Sequence, residues 1–462
     1  MRPFWIEQAL FNDGELAPAL QGSQRADVCI VGGGFTGLWT AIQAKQQDPT
    51  LDIAILESDL CGAGASGRNG GCLLTWSAKF FTLRRLFGDA EAIRLVKASE
   101  AAVGQIAQFC RTNDIDAELR LDGTLYTATS QAQLGVLDPV MRALEDCGIR
   151  SYFPLPPDEV ARRSGSARNL AGVYSPTAAT VHPGKLVRGL RRVALAMGVR
   201  IYERSPMLDF STGHPAVVRT PCGSLEAKKV VLAMNAWMAS TFAQFERTIA
   251  IVSSDMVITE KCPDLLREIG LTDGVSVLDS RTFVYYYRST VDGRIMLGKG
   301  GNTFARGGRI APVFDQRSPY EAQLTQALHS FFPKLRDTPI TASWNGPSDR
   351  SVTGFPFFGK LDGAPHISYG FGYSGNGVGP SYMGGQILSS MLLDQDNAWT
   401  RSPLTQGPLG RFPPEPVRYA GSIVVRNAIR RKERAEDENR RPWLVDTLLS
   451  KFANAAGKAD KA

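Results

Sequence analysis

The stretch DVCIVGGGFTG (27–37) decides which fold this chain adopts. A short β-branched run ends at Gly32, and a helical pattern then begins at Thr36 and is limited by Pro49. The apolar run IAIL (53–56) follows and predicts a second strand. Strand, glycine-rich turn, helix and strand in this order predict a βαβ unit close to the N-terminus.

Gly32, Gly34 and Gly37 have the G-x-G-x-x-G spacing of a dinucleotide-binding turn. The three glycines allow a tight turn, a close approach of the backbone to a pyrophosphate, and close packing of the helix. Glu57 comes about 20 residues later, at the end of the second strand, where a carboxylate binds both ribose hydroxyls and repels a 2′-phosphate. The pattern predicts an adenosine with a free 2′-hydroxyl; the alternative is a glycine-rich turn beside a surface glutamate.

A second glycine-rich segment, GAGASGRNGG (62–71), follows the second strand. Small residues let the backbone approach a flat ring, and a nicotinamide dehydrogenase has no evident need of such a loop, so FAD is favoured over NAD. The segment resembles the D-amino acid oxidase-like superfamily of flavoproteins, including γ-glutamylputrescine oxidases and related amine oxidases. The residues that match the motif are Ser66, Arg68, Asn69, Gly70 and Gly71.

The resemblance continues at FGYSGNGVGPSYMGGQIL (371–388), which is similar to the last flavin-contacting turn and helix of the superfamily. A glycine run that opens a helix near Gly379 directs amide groups and the positive end of the helix dipole toward the N1–C2=O edge of reduced flavin. Asn376 stands where γ-glutamylputrescine oxidases commonly carry histidine, which leaves the substrate open. A fainter resemblance to aminophosphonate oxidoreductases suggests 2-aminoethylphosphonate or an N-methylated relative.

Covalent flavin attachment in this superfamily uses a histidine or cysteine beside the ring, and only Cys61 and Cys72 flank the first flavin loop. The resemblance therefore implies non-covalent FAD. The expected cofactor-binding residues are Gly32, Gly34, Phe35, Thr36, Gly37, Glu57, Ser58, Ala65, Ser66, Arg68, Asn69, Gly70, Gly71, Met207, Gly346, Gly375, Asn376, Gly377, Val378 and Gly379.

The stretch RTFVYYYR (281–288) alternates, so that Tyr285 and Tyr287 share one face of a strand while Tyr286 and Arg288 share the other. In the superfamily the equivalent strand lies over the substrate side. Tyrosines there would wall an amine by cation–π contact, and an arginine would bind a carboxylate or phosphonate. The alternative is aromatic packing beside a surface arginine. The residues expected to act on the substrate are Tyr285, Tyr287, Arg288, Trp344, Tyr373 and Asn376, with Trp76, Lys79 and Arg350 as further candidates.

The expected fold class is α/β (α+β), with a Rossmann-type FAD-binding domain in discontinuous segments and a substrate domain built on a mixed or antiparallel sheet. Runs at 198–202, 229–234 and 367–371 are expected to rejoin the first sheet. The expected division is an extended N-terminal lead-in at 1–26, an FAD-binding domain at 27–85, 150–250 and 340–400, a substrate domain at 86–149 and 251–339, and a C-terminal basic extension at 401–462.

Composition argues against several classes of protein. No apolar run reaches the roughly 20 residues of a membrane-spanning helix, and the first residues lack a signal-peptide pattern, so a cytoplasmic protein is expected. The seven cysteines are scattered and never spaced as CxxC, which argues against a disulfide framework or a metal site. The net charge is +7, but the basic run at 426–441 contains no aromatic residues, which argues against nucleic acid. A solvated helix is favoured there over one that lies on a membrane.

These features predict an FAD-dependent oxidoreductase that oxidises the C–N bond of a small acidic primary or secondary amine. The substrate classes considered are a γ-glutamyl amine, an amino acid and an aminophosphonate. The imine formed would hydrolyse to an aldehyde or keto product, and the electrons would pass to O2 or another acceptor. Hydride transfer needs an oriented free-base amine in a dry pocket rather than a strong general base. Lys79 and Lys299 are candidates for assisting O2 reduction. The alternatives are a membrane-docked, quinone-linked amine dehydrogenase and a non-catalytic FAD-binding assembly protein.

Overall fold

The computed structural model describes residues 1–13, 16–456 and 459–460. The strands are β1 (Gly22–Val31), β2 (Ile53–Leu56), β3 (Cys72–Leu73), β4 (Thr124–Ala128), β5 (Phe153–Leu155), β6 (Ala171–Ser175), β7 (Ala179–Thr180), β8 (Arg200–Tyr202), β9 (Asp209–Ser211), β10 (Ala216–Thr220), β11 (Gly223–Leu232), β12 (Ile249–Thr259), β13 (Ser276–Asp279), β14 (Tyr285–Ser289), β15 (Ile295–Phe304), β16 (Ile340–Ser351), β17 (Phe357–Leu361) and β18 (Ala364–Phe371). The α-helices are α1 (Phe4–Asn12), α2 (Phe35–Gln47), α3 (Phe80–Thr112), α4 (Asp138–Asp146), α5 (Pro157–Ser164), α6 (Pro183–Ala196), α7 (Met238–Thr241), α8 (Pro263–Ile269), α9 (Glu321–Phe331), α10 (Pro380–Leu392), α11 (Val417–Asp437) and α12 (Leu444–Ser450).

The first sheet contains the predicted βαβ unit. Its strand order is β17-β18-β11-β1-β2-β8, and β10 and β9 extend it beside β11. The pairs from β18 to β8 are parallel, and α2 joins β1 to β2. Val31 pairs with both Leu56 and Leu232, so the carboxyl ends of β1, β2 and β11 meet at one edge of the sheet. This arrangement confirms the Rossmann-type sheet, and that edge is where such folds bind dinucleotides.

The main core lies on the α2 side of this sheet. The Trp39 ring of α2 meets Phe109 of α3 and Tyr382 of α10 edge-on, with centroid separations of 4.8 and 4.9 Å. Burial of such large aromatic surfaces is a dominant stabilising contribution to a core. The contacts fix α10, which begins just after the last glycine-rich turn, against α2, which begins just after the first.

The second sheet has the order β16-β12-β15-β14-β13-β4-β6-β5. Its pairs are antiparallel except for the parallel pair of β13 with β4. The expected mixed or antiparallel sheet is therefore confirmed. Strands β5, β6 and β16 pair in this sheet, although the sequence placed their segments with the FAD-binding domain. Alternation of side chains predicts a strand but does not specify which sheet it joins.

The N-terminal segment differs from the expected extended lead-in, because residues 4–12 form α1 and β1 already begins at Gly22. Trp5 and Ile6 of α1 are almost fully buried, and α1 packs on α6. The expectation was wrong for α1 because tertiary burial of aromatic residues stabilises a helix that is too short to form by itself.

The C-terminal segment forms α11 and α12, outside the two sheets. Helix α11 lies along β15, where Arg426 donates a hydrogen bond of 2.8 Å to the Asn302 carbonyl oxygen and Arg430 donates one of 2.9 Å to Asn302 Oδ1. The basic run is thus a helix that is partly docked and partly solvated. Among the described residues, no helix combines the length and apolar character needed to cross a membrane.

Candidate active site

The first glycine turn lies where β1 meets α2. Gly32 has a φ of +114°, and a Cβ on it would lie 2.5 Å from the carbonyl oxygen of Ala233, just beyond β11. A Cβ on Gly37 would overlap the carbonyl oxygen of Gly32. Gly34 is the N-cap of α2 and carries no side chain to cap its first turn. The tight turn and the exposed helix N-terminus provide the geometry that a pyrophosphate requires.

Glu57 lies beside this turn, directly after β2. Its Oε2 accepts a hydrogen bond of 2.8 Å from the Gly33 amide, and its Oε1 accepts bonds of 3.0 Å from the Ser58 hydroxyl and the Asp59 amide. Burial raises the pKa of the Glu57 carboxyl, against these hydrogen bonds. Met207, in the segment after β8, packs against the core of the first sheet. The carboxylate thus occupies the sheet edge where a dinucleotide fold binds ribose.

The second glycine-rich loop folds onto the start of α2. Ser66 Oγ accepts a hydrogen bond of 2.8 Å from the Phe35 amide. Asn69 Nδ2 donates to the Ser66 carbonyl oxygen at 2.7 Å, and Asn69 Oδ1 accepts from the Gly71 amide at 2.8 Å. Gly71 has a φ of +72°, and a Cβ there would overlap the Val181 carbonyl oxygen. These bonds fix the loop, so its polar side chains position the backbone.

Arg68 and Trp344 anchor this loop to β16. Arg68 donates hydrogen bonds to the Asn345 carbonyl oxygen at 3.1 Å and to Asp315 Oδ1 at 2.6 Å. Trp344 Nε1 donates to the Arg68 carbonyl oxygen at 3.0 Å, and its ring stacks on Phe4. The structure places Trp344 against the loop rather than on the cavity wall, where its indole N–H holds a loop carbonyl oxygen.

Arg288 also lies beneath the loop. Its Nε donates a hydrogen bond of 2.8 Å to the Gly70 carbonyl oxygen, and its Nη2 donates one of 2.8 Å to the Val181 carbonyl oxygen. The guanidinium is 5.1 Å from the ring centroid of Trp5. Burial lowers the pKa of Arg288 to about 10. The sequence suggested Arg288 as a substrate contact, whereas the structure uses its guanidinium to hold backbone carbonyls.

The alternation predicted for β14 is present, but the face that meets the cavity is that of Tyr286. The Tyr286 hydroxyl lies 2.9 Å from Ser254 Oγ on the wall of the cavity. Tyr287 is buried in the core on the opposite face, and Tyr285 lies against Lys299 on that same face. The structure therefore does not place Tyr285 or Tyr287 on the cavity. A strand's period specifies two faces, but sheet packing decides which of them faces a ligand.

The last glycine-rich turn is organised by Asp349, a residue that the sequence did not single out. Its Oδ2 accepts hydrogen bonds from the amides of Gly372 at 2.5 Å and Tyr373 at 3.1 Å, and its Oδ1 accepts from the Ser374 amide at 3.3 Å. Burial raises the pKa of Asp349 to about 6. Asp349 lies in β16, and two further strands separate it from the turn, so the local sequence carries no signal of this role and only the tertiary structure shows which amides it binds.

The turn ends at Gly379, the N-cap of α10. Asn376 Nδ2 lies 3.4 Å from the Thr75 carbonyl oxygen, to which it donates. Asn376 Oδ1 and Ser348 Oγ are buried and have no hydrogen-bond partner among the residues that the structure describes. Since buried polar atoms are nearly always paired, the Ser348 hydroxyl, which lines the cavity, indicates that a polar group completes the site.

A cavity with about 1150 Å³ of empty space, its open mouth included, lies between the start of α2, the second glycine-rich loop and the last glycine-rich turn. The wall residues that the sequence predicted are Phe35, Thr36, Ala65, Ser66, Arg68, Asn69, Gly70, Gly346, Tyr373, Gly375, Gly377 and Val378. The wall residues outside that prediction include Cys72, Asn235, Ser254, Thr282, Phe283, Val284, Tyr286, Ser348, Asp349 and Arg350, the last of which was only a further candidate. Gly32, Gly34, Gly37, Glu57, Ser58, Met207, Gly71, Asn376 and Gly379 lie outside this wall.

The residues that line this cavity and the first glycine turn fit FAD, and we name the cavity the flavin cavity. A Cβ on Gly34 would lie 2.8 Å from Ser66 Oγ, and one on Gly70 would overlap the Tyr286 ring, so glycine at these positions lets the loops pack closely around the cavity. The α2 turn suits the pyrophosphate, Glu57 suits the ribose, and the two glycine-rich loops suit the flat ring between them. The unpartnered Ser348 hydroxyl supplies a polar atom on the cavity wall.

Comparison with known proteins agrees with this geometry. A family model described as FAD dependent oxidoreductase (DAO) matches residues 27–391. The γ-glutamylputrescine oxidoreductase of Escherichia coli (strain K12) is 28% identical over 378 residues, covering 81% of this chain and 85% of that protein. The glycine oxidase of Geobacillus kaustophilus (strain HTA426) is 24% identical over 405 residues, covering 83% and 97%. The crystal structure of glycine oxidase from Geobacillus kaustophilus has a TM-score of 0.67 at 20% identity, covering 83% of this chain and 98% of that one. The chain therefore belongs to the DAO family of FAD-dependent oxidoreductases, which confirms the resemblance carried by its glycine-rich motifs.

Proposed function

We propose that this FAD-dependent oxidoreductase oxidises the C–N bond of a small amine or amino acid that carries a carboxylate or phosphonate. The observation that carries the proposal is the position of Arg350, which lines the flavin cavity beside Tyr286. Relatives named for γ-glutamylputrescine and glycine support the amine class. The free amine would lose two electrons and two protons to become an imine, and water would hydrolyse the imine to an aldehyde or keto product and ammonia or a smaller amine.

Arg350 is partly buried near the end of β16. Its Nη1 donates a hydrogen bond of 2.5 Å to the Ser374 carbonyl oxygen. A Cβ on Gly300 or Gly375 would lie 3.3 or 3.1 Å from its Nη2, so glycines make room for the guanidinium. Burial lowers the pKa of Arg350, yet a guanidinium stays charged in proteins. A substrate carboxylate or phosphonate would pair with this charge in a bidentate manner.

The other wall residues orient the substrate and exclude water. Bound FAD supplies the hydride acceptor. Tyr286, Phe283 and Val284 present apolar surface that keeps the reacting carbon dry, and the Tyr286 ring can face an amine. Asp349 accepts three backbone hydrogen bonds, so we assign it to holding the turn rather than to proton transfer. Because Asp349 is not assigned as a base, we expect the ammonium form of the substrate to lose its proton to solvent, so that the free amine binds and reacts.

The candidate lysines lie away from the wall of this cavity. Lys299 donates a hydrogen bond of 2.7 Å to the Phe283 carbonyl oxygen from the opposite face of the second sheet. Lys79 lies beside Phe355, with its Nζ 5.7 Å from that ring centroid, and neither residue lines the cavity. Burial lowers the pKa of Lys79 to about 8. Neither residue is assigned to O2 reduction, and the proposed acceptor is O2 or another oxidant.

Anaerobic reduction of the bound flavin tests the proposal. The purified holoenzyme is mixed with amino acids, polyamines, γ-glutamyl amines and aminophosphonates, and loss of the visible flavin band is followed. We expect bleaching by one acidic class. Bleaching only by neutral amines would contradict the role of Arg350, and bound flavin that no amine bleaches would favour the non-catalytic assembly protein.

A second candidate function is a dehydrogenase that docks on a membrane and reduces quinone. It is favoured by the C-terminal apolar patch, which consists of Trp443, Leu444, Val445, Leu448 and Phe452; Trp443 is 76% exposed and Leu444 81% exposed. The exposed basic residues Arg440 and Arg441 precede the patch. Exposed aromatic and aliphatic side chains beside cations suit the surface of an anionic bilayer.

Co-sedimentation with lipid vesicles tests this candidate. Holoenzyme should sediment with anionic vesicles and not with zwitterionic ones, and the double variant Trp443→Ser, Leu444→Ser should remain in solution. Val291→Ser, at an exposed valine elsewhere, is the matched control. The membrane-docked dehydrogenase would be contradicted if the double variant sedimented with anionic vesicles as much as the parent protein does. It would also be contradicted if free enzyme consumed O2 in the presence of amine as fast as it reduces a dye.

A further inference from the structure

A second cavity opens on the outer face of the second sheet, opposite the flavin cavity. Tyr286 of β14 faces the flavin cavity. The preceding residue, Tyr285, lines the second cavity together with Lys299, which is its pairing partner on β15. Helix α9 and the C-terminal helix α11 complete the wall, which is open to solvent. The α11 helix lies beyond the residues 27–391 that match the family model, so this cavity uses a part of the chain outside the family pattern.

Cationic side chains are in excess around this cavity. They are Arg168, Arg281, Lys299, Arg430 and Arg434, against the carboxylates of Glu433 and Asp437. Arg281 is paired with Asp279 at 2.7 Å and with Asp437 at 2.6 Å. In the described part of the chain, the other four cations have no carboxylate within ion-pair distance.

Lys299 forms the floor of the cavity. Its side chain is buried, with 4% of the residue exposed. The ammonium donates a hydrogen bond of 2.7 Å to the Phe283 carbonyl oxygen and lies 3.9 Å from the ring centroid of Tyr285. The carboxylates of Asp279 and Asp437 lie close enough to interact with this ammonium, but both are already paired with Arg281. An ammonium has three donors, so an anion would stabilise Lys299 further.

The arginines from α11 and from the loop before β6 surround this floor. Arg430 donates to Asn302 Oδ1 at 2.9 Å, and its Nε is buried and has no partner among the described residues. Arg168 lies with its guanidinium 5.1 Å from the ring centroid of Phe331. Arg434 is exposed at the rim. Guanidinium groups with open donors around an ammonium match the oxygens of a multiply charged anion.

We propose that this cavity is a binding site for a compact organic or inorganic anion with two or more negative charges, carried by phosphate or by carboxylates. The anion binds Lys299 at the floor and the guanidinium groups of Arg430, Arg434 and Arg168 above it. The site is separate from the amine site, because the second sheet lies between the two cavities.

The anion site shares a wall with the flavin cavity. Thr282, Phe283 and Val284 line the flavin cavity, and the amides of Thr282 and Phe283 donate to Glu433 Oε1 at 3.0 and 3.4 Å from the other side. The Phe283 carbonyl oxygen accepts from Lys299. An anion that binds the other two donors of Lys299 shifts the ammonium to which the Phe283 carbonyl oxygen is bonded, and so alters the wall of the flavin cavity. Occupancy of the site therefore perturbs the absorbance of the bound flavin.

Calorimetric titration of the FAD holoenzyme tests the site, with inorganic pyrophosphate and citrate as probes at constant ionic strength. We expect saturable binding of one anion per chain and a change in the flavin spectrum that saturates over the same range. Tighter binding of pyrophosphate would identify a phosphate ligand, and tighter binding of citrate a carboxylate ligand. Lys299→Met should weaken binding about tenfold or more, because it removes a charge-assisted bond.

Substitutions at two exposed arginines show whether a loss of anion binding is specific to the cavity or results from misfolding. Arg434→Gln changes an exposed side chain and should weaken binding about threefold or more, whereas Arg441→Gln, an exposed arginine outside the cavity, should leave it unchanged. Absence of saturable binding, or equal binding by all three variants, would overturn the site. Binding that Arg350→Met abolishes and Arg434→Gln preserves would place the anion in the flavin cavity instead. Binding without a spectral change would overturn the shared-wall effect.

Discussion

Thr36 Oγ1 donates a hydrogen bond of 2.9 Å to the phenol oxygen of Tyr373, although 337 residues separate them in sequence. Thr36 belongs to the first glycine turn and Tyr373 to the last. Both side chains line the flavin cavity. The bond therefore joins the phosphate end of the site to the turn that we propose for the flavin ring.

Removal of this bond by Tyr373→Phe should loosen the last turn without opening a cavity. We expect a loss of about 1 kcal/mol in stability, since a buried hydroxyl partner is left unpaired. The fall should be visible as a lower Tm and as faster FAD release on dilution. Tyr369→Phe, in the same segment, is the control. Unchanged FAD release would contradict a link between the two turns.

Glu57→Ala should weaken FAD retention because the carboxylate at the end of β2 is assigned to the ribose hydroxyls. The flavin content of the purified variant, measured by absorbance relative to protein, should fall severalfold. Glu438→Ala, at an exposed glutamate of the C-terminal segment, should leave flavin content unchanged. Equal flavin content in both variants would remove the adenosine assignment of Glu57.

Asp349 predicts a pH dependence of stability with a defined sign. Its pKa is raised from 3.8 to about 6 in the folded protein, so the folded state holds the proton more tightly than the unfolded state. Its contribution is therefore largest below pH 3.8, declines as the pH rises to about 6, and is constant above that. Asp349→Asn removes this titration.

The free energy of unfolding of the parent protein, minus that of Asp349→Asn, should therefore fall as the pH rises through this window, by on the order of 3 kcal/mol. Thermal unfolding of both proteins across the window measures it. A difference that rises with pH would show that the three amide hydrogen bonds outweigh burial in setting the pKa.

Arg350 and Arg288 should respond differently to substitution by methionine. Arg350→Met should raise KM for an acidic amine by about tenfold or more and leave KM for a neutral amine unchanged, because only the acidic substrate loses an ion pair. Arg350→Lys should restore part of the loss. Equal effects on both substrates would count against the proposed ion pair.

Arg288→Met should instead lower Tm and flavin content together, because the Gly70 and Val181 carbonyl oxygens lose their buried donor. Its effect on KM should not distinguish acidic from neutral amines. A variant with normal flavin content and a selective KM change would return the substrate role to Arg288.

Cys72 lines the flavin cavity, so the proposal of non-covalent FAD has a direct test. Denaturation of the holoenzyme in acid should release all the flavin into the supernatant, from the parent protein and from Cys72→Ala alike. Flavin that stays with the precipitated parent protein but not with Cys72→Ala would show a thioether at this residue.

The sequence by itself determined the family, the cofactor and the Rossmann-type sheet. The family followed from the resemblance of two glycine-rich motifs to the D-amino acid oxidase-like superfamily. The sheet and the cofactor-binding turns follow from local backbone requirements: a positive φ at Gly32, close approach at Gly37, and a helix that begins after Gly379. Such requirements are specified by a few neighbouring residues, so they are legible without the fold. The two faces of β14 were predictable for the same reason.

Only the tertiary structure decided which side chains reach the cavity. Tyr286 rather than Tyr285 or Tyr287 faces it, Arg288 is taken up by two carbonyl oxygens, and Asp349 binds amides in a turn that follows it by more than twenty residues. It also decided that α1 is a helix and that β5, β6 and β16 pair in the second sheet. These outcomes depend on long-range packing and on competition among buried hydrogen-bond partners, which local sequence patterns do not contain.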